Sequence, residues 1–420
     1  MLYFDEVAAL REQLGECLHG KAYAEAFSLA QRLVSLHKHH KNTKNIGYAD
    51  DVFTLARVLR CLHKYADARP LLEEAALLTA ELTGRGPLLA DRLTSLAVCH
   101  ARMNAHADAI CAFGEAHAIR LQALGEEHPE TAHALYNLAN AHLGGGRLDD
   151  ALRCHRLAYA RRKREPNDAA DSLLCMAHVY EAKKEYAQAE DMAAKALRQR
   201  KRAVGEDASA YIVETQYRAQ LCDEAELFDK SARLYGLAAR LIRRNGTEEH
   251  PHYAVMLNAM ADAHIRLGDF PRAIGLRMRA LRLLRAGMGD MHMVCASSMR
   301  VLSFLLHKEG KTARAAHMMA ESLRVREALT GMSEFEYIRD VMWLCGLHME
   351  MKRFDHALSL LKKTMDTARE KGEDKAFHQI GELLKVYLLL GEIGRLQTAG
   401  EGETGEALLQ FLQKFYQDTE

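Results

Sequence analysis

Histidine recurs at His100, His142, His264 and His348, and imidazoles in a ladder are the side chains a transition metal would choose. The run His37-Lys38-His39-His40-Lys41 adds a second group with ligand character. Gly310-Lys311-Thr312 has the closing residues of a phosphate-cradling loop, and three glycines stand together at 144–146. Cations gather at Arg161-Arg162-Lys163-Arg164, at Arg198 with Arg200-Lys201-Arg202, at Arg243-Arg244, and at Arg277, Arg279, Arg282 and Arg285. Such groups could take phosphates or carboxylates.

Most of this chemistry fails on spacing. Leu305 stands five places before Gly310, where a phosphate loop needs its first glycine. The nine cysteines (17, 61, 99, 111, 154, 175, 222, 295, 345) form no C-x-x-C pair and no zinc spacing, so they read as reduced, small core residues. No H-E-x-x-H and no nucleophile elbow occurs, and no paired carboxylates stand in a shared setting. The chain is therefore expected to be no enzyme and to need no metal and no cofactor.

The elements that must position these residues repeat. A bulky or polar residue is followed three places later by a small one at Tyr23/Ala26, Tyr65/Ala68, His106/Ala109, Leu148/Ala151, Tyr186/Ala189, Phe228/Ser231, Phe270/Ala273, Thr312/Ala315 and Phe354/Ala357. Successive copies lie 42, 41, 42, 38, 42, 42, 42 and 42 residues apart. Around Phe270, Met256 to Ile265 has apolar residues at helical spacing, Gly268-Asp269 breaks it, and Ala273 to Leu284 is a second amphipathic segment. The unit is helix A, a tight turn plugged by the bulky residue, helix B and a longer loop. The small residue belongs where the two backbones come closest.

Ten residues before each plug a large apolar residue precedes a small one, as in Leu55-Ala56, Leu96-Ala97, Leu138-Ala139, Met176-Ala177, Met260-Ala261, Leu302-Ser303 and Leu344-Cys345. Arg218-Ala219 departs from this. One unit cannot bury its apolar stripe alone, so neighbours must stack on it. Stacked units hold equivalent positions about 10 Å apart, too far for the four histidines to share one zinc ion.

This pattern resembles the tetratricopeptide repeat over roughly residues 5 to 365. Units here exceed that family's usual 34 residues by about eight, as in the variant of kinesin light chains and many bacterial proteins. The resemblance implies an all-α fold, a right-handed superhelix of about nine helix-turn-helix repeats spanning 1–365. Residues 366–420 would be a degenerate last repeat and C-terminal cap, with helices near Phe377 to Leu390 and Glu406 to Tyr416. The family usually carries tyrosine at the position of the four histidines, so these read as core or half-buried.

The resemblance also places helix A on the concave surface. Counting back from the plugs, the groove would be lined by Tyr136, Asn137 and Asn140, then His178 and Glu181, then Gln216, Tyr217 and Gln220. Further along come Asn258 and Asp262, Arg300 and Phe304, and Arg339 with Trp343, the one tryptophan. Carboxamides offer donor and acceptor together and so can pair with an extended peptide backbone. This resembles the asparagine ladders of kinesin light chains, with Tyr136, Tyr217 and Trp343 supplying pockets. Asn137 also matches one part of the clamp by which another subclass grips C-terminal carboxylates. Asp171 and Cys175 stand where its basic partners belong, and that reading is rejected.

The expected partner is a protein or an extended peptide. Lysine plus arginine equals aspartate plus glutamate, 57 each, so no global field draws the chain to nucleic acid. The basic clusters, followed by acidic loops such as Glu126-Glu127, Glu206-Asp207 and Glu248-Glu249, read as a solvated, alternately charged edge. No apolar run reaches membrane-spanning length and the first residues show no leader, which points to the cytosol. The reading is an interaction module or scaffold. A bacterial regulatory sensor binding a small signalling peptide is the alternative.

Overall fold

The computed structural model describes residues 2–246, 251–330 and 335–370, which form eighteen α-helices and no strand. The first helices of the pairs are α1 (Leu2–His19), α3 (Ile46–Cys61), α5 (Pro87–Arg102), α7 (Pro129–Gly144), α9 (Pro166–Ala182), α11 (Ser209–Glu224), α13 (Pro251–Arg266), α15 (Met293–Lys308) and α17 (Phe335–Glu350). The second helices are α2 (Tyr23–His39), α4 (Tyr65–Thr83), α6 (His106–Leu124), α8 (Leu148–Arg162), α10 (Tyr186–Val204), α12 (Phe228–Arg244), α14 (Phe270–Met288), α16 (Thr312–Thr330) and α18 (Phe354–Glu370). The helices fall into two compact units that divide at Ala225/Glu226, α1 to α11 and α12 to α18, each an all-α helical-repeat array. The C-terminal cap expected from the sequence lies outside the described residues.

Each plug residue proves to be the first residue of a second helix and is half-buried. Three residues on, Ala26, Ala68, Ala109, Ala151, Ala189, Ser231, Ala273, Ala315 and Ala357 are all fully buried. Their counterparts on the first helices, from Ala56 to Cys345, are fully buried as well. Cys345 Sγ lies 3.8 Å from the Ala357 carbonyl oxygen, and burial pushes that thiol up to about 12. In the first pair Leu14 takes the place of the small residue, which is why that helix fits the sequence register poorly. Arg218, the other departure, extends its guanidinium 2.7 Å to Glu190 on α10.

The turn between paired helices has one backbone signature. Two residues before every plug the chain enters the left-handed region, at Lys21, His63, Asn104, Gly146, Lys184, Glu226, Gly268, Gly310 and Lys352. The next amide then reaches back five residues, as when Asp269 N–H donates to the His264 carbonyl at 2.9 Å and Glu185 N–H to Tyr180 at 2.9 Å. This closure satisfies orphan carbonyls of the first helix and reverses the chain. Gly310 and Gly146, which suggested phosphate chemistry, serve this turn.

Charged side chains tie successive repeats together. Fourteen residues after a plug the second helix faces the next pair: His37 Nε2 lies 2.8 Å from Asp51, and Arg162 donates to Ser172 Oγ at 3.1 Å. At the same place Arg200 Nε donates to Glu214 at 2.8 Å, and Arg326 lies 3.8 Å from fully buried Asp340. On α12 and α14 the apolar residues Ile242 and Leu284 hold the position instead. Arg92, with no exposed surface, donates to the Ala49 carbonyl at 2.8 Å and to Asp50 at 2.5 Å.

The expectation of a solvated basic edge is thus corrected for part of its members. Arg162 and Arg277 are buried, and Arg200 and Arg285 half-buried, each against an acid: Asp168, Asp262, Asp171 with Glu214, and Glu321. Their stems pack along the helices and their planar forks find carboxylates, which an isolated reading of one helix cannot anticipate.

Two substitutions separate these constraints. Gly268→Ala forces a Cβ into the left-handed region and should cost about 1 kcal/mol. Ala273→Leu overfills the crossing and should cost about 1–3 kcal/mol. Urea denaturation followed by circular dichroism checks both, with a shifted midpoint in each variant as the expected outcome.

Candidate functional site

The first helices of each unit carry the sequence-derived candidates. In the first unit three of them meet. The His178 ring lies 4.5 Å from the Tyr217 ring, and Tyr217 O–H donates to Glu181 Oε2 at 2.7 Å. His178 Nδ1 sits 3.4 Å from the same oxygen. Burial first, then this hydrogen bond, pushes the Tyr217 phenol above its ordinary range, so it stays a donor. The period explains the meeting: α9 and α11 occupy equivalent places in adjoining repeats.

Tyr136 is placed differently. Its hydroxyl is 3.2 Å from Cys175 Sγ, its ring lies 4.5 Å beneath the Arg162 guanidinium, and its edge meets His155. Burial, followed by Cys175, raises the Tyr136 phenol. One face of this ring is therefore occupied by the protein itself. Asn140 stands half-buried beside that hydroxyl. The amides of half-buried Asn137 and Gln216 and of exposed Gln220 have no hydrogen-bond partner among the described residues.

In the second unit Asn258 is half-buried and its side-chain oxygen is enclosed without a hydrogen-bond partner. Asp262 is held by Arg277, and Arg300 Nη1 lies 3.7 Å from Asp340. Arg339 is exposed on α17. Trp343 donates its indole N–H to Ser303 Oγ at 3.1 Å, lies 4.4 Å from the Phe304 ring and meets His307 edge-on at 5.1 Å. Phe304, Trp343 and His307 thereby form a partly exposed aromatic patch on α15 and α17. His307 and Ser303 were not singled out in the sequence, although Ser303 is the small member of the large-small pair.

The histidine ladder is inward-facing: His100 and His264 are buried, His142 and His348 half-buried. Burial lowers His142 and His348 from their ordinary range. Among the described residues no group of three or more His, Cys, Asp or Glu side chains could hold a metal ion, and no helix is long and apolar enough to cross a membrane. One titratable anomaly went unmarked in the sequence. His155 on α8 has no exposed surface and neither ring nitrogen has a hydrogen-bond partner.

Comparison with known proteins matches this geometry. Family profiles described as tetratricopeptide repeat fit residues 49–122, 112–164, 252–328 and 169–207, together more than half of the chain. The C-terminal part of a repeat-containing protein from Cytophaga hutchinsonii superposes with TM-score 0.52 at 12% identity, over 70% of this chain and 99% of its own. A putative kinesin light chain repeat protein from Podosopora anserina aligns at 18% identity over 47% of this chain and 95% of its own, TM-score 0.43. BtubC (BKLC) from P. vanneervenii aligns at 20% identity over 59% and 92%, TM-score 0.42. No curated protein sequence matches the chain.

His155 sets a pH dependence. Burial first, then Arg162 and His178, lower it from 6.5 to about 4. The unfolded chain binds this proton more readily than the fold, so stability is full above about 6.5 and falls as pH drops towards 4. At about 1.4 kcal/mol per pH unit the loss is on the order of 3 kcal/mol. Urea titrations at pH 7 and pH 4.5 should show a smaller acid loss in His155→Leu than in the wild type.

Proposed function

The chain belongs to the tetratricopeptide repeat family, a fold of protein-interaction scaffolds, and we propose that its first-helix faces bind an extended peptide segment of a partner protein. The observation that carries this reading is the contrast in hydrogen bonding on those faces. Charged neighbours are tied internally, Glu181 to Tyr217 and Arg218 to Glu190. The amides of Asn137, Gln216 and Gln220 are left without a partner among the described residues.

A peptide laid across α7, α9 and α11 finds amide donors and acceptors for its own N–H and C=O groups. The tilted His178–Tyr217 ring pair, to which Glu181 is bonded, offers an apolar flank for a side chain. Backbone pairing of this kind grips a segment in register and tolerates varied side chains. In the second unit, the Phe304–Trp343 patch supplies a comparable aromatic platform. Nothing in this binding requires a bond to be made or broken, which fits a scaffold.

A peptide library displayed on phage and selected on the purified chain tests the reading. Each lost hydrogen bond is worth about 1 kcal/mol, so Asn137→Ala/Gln216→Ala/Gln220→Ala should bind the selected peptides on the order of a hundredfold more weakly. Equal binding by wild type and triple variant would remove the first-helix face of the first unit as the peptide site.

A further inference from the structure

Charge on this chain is balanced overall but not by element. The second helices α12, α14 and α16 together hold thirteen lysines and arginines against three acids, Asp229, Glu321 and Glu327. Asp229 is tied to Arg233 and Glu321 to Arg285. Sorting the arginines by repeat position isolates one row. Twelve residues after the plug stand Arg240, Arg282 and Arg324, at equivalent places on three successive second helices of one compact unit. All three are exposed, and none has an ion pair or hydrogen bond among the described residues. They contrast with Arg277, Arg285 and Arg326, which the same helices turn against Asp262, Glu321 and Asp340.

We propose that this arginine row is a second binding surface, distinct from the first-helix faces, that takes an acidic, extended segment of a partner polypeptide. Three arguments favour that occupant. Free guanidinium forks match carboxylates in a bidentate geometry, and a regular row of them matches regularly spaced carboxylates. Equivalent positions recur once per stacked repeat, on the order of 10 Å apart. A polyproline-type chain repeats its side chains every three residues at about 3.1 Å each, so an acid at every third position meets successive rungs.

Other anions fit less well. No Phe, Tyr or Trp of α12, α14 or α16 is exposed, so the row lacks the stacking platforms of single-strand nucleic-acid binders. Large apolar residues on these helices are exposed only at their ends, at Met288 and Leu329, which gives a lipid surface little to anchor.

The test uses fluorescence anisotropy at low salt with a labelled (Glu-Ala-Pro)6 peptide. Its controls are a block isomer of equal composition and charge, and a labelled twenty-nucleotide oligothymidylate. The full chain is compared with Arg240→Gln/Arg282→Gln/Arg324→Gln. A charge-matched control, Lys44→Gln/Arg102→Gln/Arg147→Gln, alters exposed cations elsewhere. These positions lack structural partners, so circular dichroism should be unchanged in both variants.

The proposal expects the spaced peptide to bind better than the block isomer, to lose about tenfold in affinity in the row variant and to be unaffected by the control. Absence of peptide binding, equal losses in both variants or equal affinity for the two isomers would overturn it. Tighter, row-dependent binding of oligothymidylate would overturn it too, in favour of a nucleic-acid track. Because the row variant leaves Asn137, Gln216 and Gln220 intact, the outcome is independent of the peptide reading of the first helices.

Discussion

Everything else in this molecule depends on how closely paired helices can cross. A small residue on the first helix and another on the second, such as Cys345 and Ala357, meet with no exposed surface at either. A larger side chain there would separate the axes and lift the apolar stripes off each other. The tight turn enforces the same geometry from the end, since one left-handed residue lets the chain reverse within two positions. The bulky first residue of each second helix then fills the elbow. Angle, distance and register of a pair follow from these residues, and the stacking of pairs follows from repetition.

Between pairs the determinant changes from size to charge. The position fourteen residues past the plug is His37, Arg162, Arg200 or Arg326 in some repeats and Ile242 or Leu284 in others. A buried ion pair such as Arg326 with Asp340 adds little net stability once desolvation is counted, but a repeat shifted out of register would leave either charge unpaired. Charged junctions therefore specify which repeat stacks on which, while apolar junctions supply cohesion. The array needs both, because its units are alike enough to mispair.

The sequence revealed the pair geometry well, since a small residue recurring at a fixed period has no other cause. It concealed the turn, because Lys21, His63, Lys184, Glu226 and Lys352 adopt a backbone that composition assigns to glycine. Local hydrogen bonds and the packed elbow impose that conformation, and no residue type announces it. It also concealed the fate of the arginines. Arg277 and Arg282 are five residues apart on one helix, yet the first is buried on Asp262 and the second is free in solvent. Five residues turn the helix by about 140°, so the two arginines point to different faces, and only the neighbouring helix decides which face meets an acid. Among the candidate groove residues, His178 and Tyr217 could be brought together by counting repeats, whereas the capture of Tyr136 by Arg162 and Cys175 could not.

A repeat has two solvent faces, and the chemistry of each is constrained differently. First-helix positions near the crossing must accommodate neighbouring repeats, so their exposed groups are short polar residues and aromatics that can share contacts. Second helices border fewer neighbours at their outer positions, and long cations there neither clash nor need a partner. Net neutrality of the chain then arises from acids placed elsewhere, as in α4, where four acids oppose Arg69 alone. A balanced total charge is thus compatible with a strongly basic local face, and the Debye length of about 8 Å under physiological salt keeps such a face electrostatically distinct from more distant acids. For a repeat array the unit of electrostatic reasoning is the row of equivalent positions, because that row is what a linear partner meets.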